Sequence, residues 1–151
     1  GRFFAQSVGT PWYELHHTGN SVGTVSQSGG VPTGAIIERG SNANGVFVKF
    51  ADGTQICMSA FGLSATNTDS FVSGGVTYYR IRDQWTFPIP FSTTTSLIVL
   101  SEVNQNSDNI FASTKNRALT VSGVNIDSLS AYSFSSFARS ATYAMAIGRW
   151  Y

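Results

Sequence analysis

In several runs of the chain apolar and polar residues alternate one by one, the period of a β-strand with one face buried. Val46 to Ser59 shows the pattern best, because Asp52-Gly53 separates two alternating runs and marks a β-hairpin. A two-residue turn would oppose Val46, Val48 and Phe50 to Ser59, Cys57 and Gln55, mixing apolar and polar residues on both faces. A three-residue loop, Ala51-Asp52-Gly53, instead gathers Val46, Val48, Phe50, Ile56 and Met58 on one face, and places Lys49, Gln55 and Cys57 opposite with Phe47. The second register keeps the pattern, and it needs a positive φ at the third loop position, which Gly53 adopts without steric cost.

Further strands are predicted at Gly34–Arg39, Val76–Phe87, Ser96–Val103, Ala118–Ile126, Leu129–Arg139 and Thr142–Trp150, each bounded by Gly, Asn, Ser or Pro turns. No stretch has helical periodicity. Short strands at this spacing predict an all-β antiparallel sandwich or barrel. In the last strand Tyr143, Met145 and Ile147 alternate with Ala144, Ala146 and Gly148, so one face is nearly smooth and is expected to admit another backbone, at or near a subunit interface. Residues 1–17 are rich in aromatics (Phe3, Phe4, Trp12, Tyr13) and read as two short strands. From Thr18 to Thr33 the chain turns to Gly, Ser, Asn and Gln, as a linker would. The expected division is therefore a β segment over 1–30 and a β-sandwich over 33–151. About thirty residues cannot bury those aromatics alone, so partner chains are expected to cover them.

Composition narrows the function. Charged residues make up 11% of the 151, and nine basic against eight acidic groups give a net charge of +1. No basic field is available for a phosphate backbone, so nucleic acid is not an expected partner. The longest apolar runs fall far short of the roughly 20 residues that span a bilayer, and no basic-then-apolar leader opens the chain, so no membrane insertion is expected. Its first residue, Gly1, is read as a sign of processing or excision from a longer polypeptide. The lone Cys57 is read as a buried small hydrophobe.

Candidate chemistry is sparse. Gly19-Asn20-Ser21-Val22-Gly23 has the G-x-S-x-G spacing of a nucleophile elbow, but that device needs a strand, a strained turn and a helix, and no helix follows. His16 and His17 are adjacent and point to opposite faces of a strand, so they cannot ligate one metal from one chain. The three Glu and five Asp form no paired-acid signature. No catalytic residue, metal or cofactor is therefore assigned. Two stretches carry the chemistry of sugar binding, an aromatic face for pyranose C–H groups beside charged or amide groups for hydroxyls. One is Tyr78–Trp85, with Trp85 as the stacking platform and Arg82 and Asp83 as polar partners. The other is a polar loop holding Asn104, Asn106 and Asp108. Core and solvated faces of an ordinary strand, and an ordinary exposed loop, are the competing readings.

Trp12-Tyr13-Glu14-Leu15-His16-His17-Thr18-Gly19-Asn20 resembles the W-x-E-L-x-H-T-G-N segment that closes the shaft of many bacteriophage tail fibres. Gly40-Ser41-Asn42-Ala43-Asn44-Gly45 and Val48-Lys49-Phe50-Ala51-Asp52-Gly53-Thr54-Gln55-Ile56-Cys57 are similar to the run that follows it in such fibres, and Phe87-Pro88-Ile89-Pro90-Phe91 and Ala146-Ile147-Gly148-Arg149-Trp150 complete the pattern. The resemblance implies a fibre-proximal segment followed by an H-type-lectin-like antiparallel β-sandwich. It further implies a homotrimer joined to other virion fibre or tail proteins, exposed to the extracellular medium, and a host cell-surface glycan as ligand. A structural trimerisation cap, a different ring size as in a head fibre, and a glycan depolymerase stand as alternatives. Asn104–Asn116 matches no shared motif, which fits a specificity loop.

Overall fold

A computed structural model describes residues 4–5, 9, 13–14, 17, 19–61, 68–105, 112–130 and 139–151. Every regular element among them is a strand, and all ladders between strands are antiparallel. Two two-residue pairs come first, β1 (Phe4–Ala5) with β2 (Tyr13–Glu14) and β3 (Gln27–Ser28) with β4 (Val31–Pro32). Two larger sheets follow. One has the order β10-β13-β7-β6-β5, from β5 (Ile37–Asn42), β6 (Gly45–Phe50), β7 (Thr54–Phe61), β10 (Ile98–Gln105) and β13 (Arg139–Arg149). The other has the order β11-β12-β9-β8, from β8 (Thr68–Ser73), β9 (Val76–Thr86), β11 (Ala112–Arg117) and β12 (Gly123–Ser130).

The β6–β7 hairpin has the register that its alternation predicts. Val46 faces Met58, Val48 faces Ile56 and Lys49 faces Gln55 across a loop of residues 51–53. Gly53 has φ +92°, and its N–H closes the loop onto the Phe50 carbonyl at 3.0 Å. A Cβ there would fall on the Arg149 guanidinium and lie 2.6 Å from Tyr151 Cε1.

The two large sheets pack face to face around one core. Cys57, Ala144 and Ala146 come from the five-stranded sheet, and Trp85, Val124 and Ile126 from the four-stranded one. Phe87, Phe91 and Leu97, on the connection from β9 to β10, join the same cluster. Rings there meet edge to face, Trp85 on Phe87 at 4.9 Å and Phe87 on Phe91 at 5.1 Å, an arrangement that aligns ring edges with ring faces. Buried Gln55 ties the proline-containing run down, its Nε2 donating to the carbonyls of Ile89 and Pro90 at 3.2 Å. At the open side, β11 side chains satisfy the free edge of β10. Thr114 Oγ1 donates to the Ser101 carbonyl at 2.7 Å and Asn116 Nδ2 to that of Val99 at 2.8 Å.

Several expectations need correction. The smooth face of β13 points inward, not to a subunit boundary: Ala144 and Ala146 are buried, and the approaching element is this chain's own Phe91 and Leu97 over Gly148. Within the expected linker, residues 24–35 form a hydrogen-bonded hairpin. Thr33 N–H donates to Ser26 and Ala35 N–H to Thr24 across the expected division at 30–33, and Val25 is buried with its N–H on Glu38 Oε2. Gly29 and Gly30, both with positive φ, turn this hairpin. The strand expected at 118–126 begins only at Gly123, because Thr120 Oγ1 accepts the Ser122 and Gly123 N–H groups and folds the preceding residues into a turn. Asn116 is in a strand and not in a loop. Residues 131–138 of the expected strand at Leu129–Arg139 lie outside the described residues, as do Phe3 and Trp12.

Candidate functional site

The outward face of the four-stranded sheet is built by two turns and one ladder. Gly74 and Gly75, with φ +60° and +77°, form a two-residue hairpin loop that matches strand twist, and this fixes β8 against β9 with Phe71 opposite Tyr78 and Asp69 opposite Arg80. The β9–β12–β11 ladder then sets Arg82 beside Asp127 beside Lys115, and Gln84 beside Asn125 beside Arg117. Residues paired across strands share a face, and successive rows lie about 7 Å apart. Read along β9, the face carries an aromatic row (Phe71, Tyr78), an ion-pair row (Asp69, Arg80), a cationic row (Arg82, Lys115) and an amide row (Gln84, Asn125).

Contacts within the face are dense. The Phe71 and Tyr78 rings stack at 5.5 Å, and the Arg80 guanidinium lies 5.5 Å from the Phe71 centroid. Arg80 grips Asp69 with two hydrogen bonds, Nε at 2.9 Å and Nη2 at 2.8 Å, and Arg82 Nη2 reaches the same carboxylate at 2.7 Å. Hydrogen bonding from Arg80, then the charges around it, hold the Asp69 carboxyl below the usual carboxylate range. Asp127 faces outward yet is only 2% exposed, covered by the Arg117 fork at 2.7 and 3.0 Å with Arg80 Nη1 at 3.8 Å. The same pairings raise the Arg80 and Arg117 guanidinium pKa values, so both remain charged.

Period-two geometry divides the residues expected to act together. Trp85 points inward, is 3% exposed, and donates its Nε1–H to the Asn44 carbonyl at 3.0 Å. A stacking platform needs an open ring face, so Trp85 is a core strut and not a platform. Asp83 is buried on the same inner side, whereas Arg82 lies on the opposite, exposed face, so the three do not form one site. Asn104 is a β10 strand residue at a register shift, and Asn106 and Asp108 lie outside the described residues. The outward-facing members of the β9 stretch, half-buried Tyr78 and Arg80 and exposed Arg82 and Gln84, have the chemistry sought there. Their partners Phe71 and Asp69 escaped the sequence reading because β8 was not assigned. Gly74-Gly75 between two short runs was the available signal.

The other candidates are plainer. Cys57 is fully buried, and desolvation pushes its thiol up to about 11. His17 Nδ1 accepts the Gly19 N–H at 3.0 Å, and Ser21 Oγ donates to the His17 carbonyl at 2.7 Å, as parts of one turn. His16 lies outside the described residues, among which no cluster of metal-ligating side chains occurs.

The outward face of the five-stranded sheet is apolar. Its rows run Ile98 to Ile147 to Ile56 to Val48, and Leu100 to Met145 to Met58 to Val46, with Tyr143 beside Glu102. Ile98, Leu100 and Tyr143 are 61%, 56% and 51% exposed. Val46, Met58, Leu100, Glu102, Tyr143 and Met145 line an open groove there of about 680 Å³.

No protein-family model matches the chain, and no curated protein matches it. Among solved structures it is similar to a C-terminal fragment of the P. aeruginosa R1 pyocin fibre, at 18% identity and a TM-score of 0.47. The match covers 95% of this chain and 40% of that fragment.

Proposed function

We propose that this chain is the receptor-binding tip of a phage-type fibre, a non-catalytic homotrimer that adsorbs to host-surface glycan. The outward face of the four-stranded sheet carries the reading. It combines a partly exposed aromatic pair, Phe71 and Tyr78, with forked cationic donors and two amides on a rigid ladder. Flat aromatic area for sugar C–H groups and fixed polar groups for hydroxyls are the two needs of a saccharide site. The motifs shared with tail fibres supply the setting, a fibre attached to other virion proteins and open to the medium. Three copies on one axis raise a weak single-site affinity by about 10²-fold or more where glycan repeats reach them.

The apolar outer face of the five-stranded sheet supports the oligomer. A contiguous apolar patch on this scale marks an interaction surface, and further copies of this chain are the proposed cover. The interface therefore lies on the Tyr143, Met145 and Ile147 side of β13. Light scattering of the intact protein is expected to give a trimer, and Leu100→Glu is expected to give monomers that keep their β circular dichroism. A monomeric parent that unfolds cooperatively overturns the oligomer.

The same apolar face equally suits a structural trimerisation cap, which needs no ligand. Glycan-array binding separates the two. Binding that Phe71→Ala abolishes supports adsorption through this face. An array blank across host capsule and lipopolysaccharide, with the trimer intact, favours the cap. Release of reducing ends from host polysaccharide would make the chain a depolymerase instead.

A further inference from the structure

We infer that the glycan held at the outward face of the four-stranded sheet is acidic, with its carboxylate or phosphate seated between Arg82 and Lys115. This rests on the glycan-binding reading above and names its ligand class. Four cations on the face (Arg80, Arg82, Lys115, Arg117) stand against two carboxylates (Asp69, Asp127), an excess of two positive charges. The whole chain carries only +1, so positive charge is concentrated on this face.

The hydrogen-bond inventory points the same way. A site for neutral sugars offers acceptors as well as donors to each hydroxyl. Here the charged acceptors are occupied, and only the neutral amide oxygens of Gln84 and Asn125 and the Tyr78 hydroxyl add to them: Asp127 is buried beneath Arg117 and Arg80, and Asp69 takes three hydrogen bonds or ion pairs from Arg80 and Arg82. Donors remain on the surface, with the Arg82 side chain 47% exposed, the Arg117 side chain also open to solvent and Lys115 exposed. Such a face is completed by a ligand that brings acceptors. Arg82 and Lys115 flank Asp127 in one cross-strand row, their backbones about 10 Å apart; Arg82 holds Asp69 on β8 through Nη2, so an anion above the covered Asp127 takes its remaining guanidinium N–H groups and the flexible Lys115 head. The Phe71–Tyr78 pair lies two rows away, about 14 Å along the strands, a separation that a short oligosaccharide spans. Nucleic acid is disfavoured, since two uncompensated charges fall well short of the roughly 6–10 phosphate contacts of a nucleic-acid binder.

The test uses the full chain in its native oligomeric state and four probes: a polyuronate, a glycerol-phosphate polymer, neutral dextran and a single-stranded DNA oligonucleotide. The polyuronate or the phosphate polymer is expected to bind at least about tenfold more tightly than dextran, and which of the two does so identifies the acidic group. Arg82→Gln and Lys115→Gln are each expected to weaken that binding roughly tenfold, as loss of a charge-assisted contact does, and added salt should weaken it further. Thermal melts control for folding, and Lys115→Gln serves if Arg82→Gln unfolds through its contact with Asp69. Equal binding of dextran, unaffected by either charge variant, overturns the acidic ligand and leaves the glycan reading intact. DNA bound as tightly as the acidic glycans overturns it in favour of a general polyanion surface. Failure of every polysaccharide on the probe set and the array overturns the glycan reading itself.

Discussion

Replacing Trp85 separates a core strut from a binding platform. The indole is 3% exposed, packs edge to face on Phe87 at 4.9 Å, and its Nε1–H joins the four-stranded sheet to the β5–β6 turn through the Asn44 carbonyl at 3.0 Å. A buried tryptophan removes about 200 Å² from water, which at about 25 cal/mol per Å² is an upper figure of about 5 kcal/mol. Truncation to alanine forfeits most of this and leaves a cavity between the sheets, so Trp85→Ala is expected to lose about 3–5 kcal/mol. Asn44 is exposed and its carbonyl recovers water, so the lost hydrogen bond adds little. Trp85→Phe keeps an aromatic body and should lose about half as much. For a chain of this length each kcal/mol lowers Tm by about 2–4 °C, giving a fall of about 6–20 °C for the alanine variant. Urea unfolding followed by far-UV circular dichroism, at one fixed protein concentration because an oligomer's stability depends on it, measures the difference. An alanine variant within about 1 kcal/mol of the parent, with an unchanged denaturant slope and lost glycan binding, would refute the core assignment.

Gly53→Ala is expected to destabilise by about 1–3 kcal/mol in the same urea assay, because φ +92° disfavours any Cβ and that Cβ meets Arg149 and Tyr151. The Asp69 carboxyl pKa is lowered in the folded state, so its contribution is present above the unfolded value near 3.8 and is lost as pH falls through the lower folded value. The stability difference between the parent and Asp69→Asn should therefore shrink on acidification below about pH 4, and a difference unchanged down to pH 2 would remove the Arg80 and Arg82 pairing as its source. With a thiol pKa of about 11 and no exposure, Cys57 should resist a thiol reagent at pH 8 and react only on unfolding. Rapid labelling of the folded protein would contradict its burial.

Local chemistry alone determined the all-β class and the register of one hairpin, while β8, β11 and the short β3–β4 pair left no pattern strong enough to assign. Gly53 made the three-residue loop between β6 and β7 the one register compatible with the alternation of Val46 to Met58, and those pairings occur. Burial of Cys57 was legible in the same way. Alternation, however, names two faces without saying which is inside, because a strand looks the same to its own sequence whichever side a second sheet covers. Tertiary packing made that choice twice against expectation. On β13 the small residues Ala144, Ala146 and Gly148 went inward, since Phe91 and Leu97 needed room there, and Tyr143, Met145 and Ile147 were left outside. On β9 the sheet partner covered Asp83 and Trp85, and turned Tyr78, Arg80, Arg82 and Gln84 to solvent. The groups that complete the candidate site lie on other strands, Phe71 and Asp69 on β8 and Asp127 on β12, up to 45 residues away along the chain from Arg82. Their proximity comes from antiparallel pairing across chain-distant segments, and no local pattern records it.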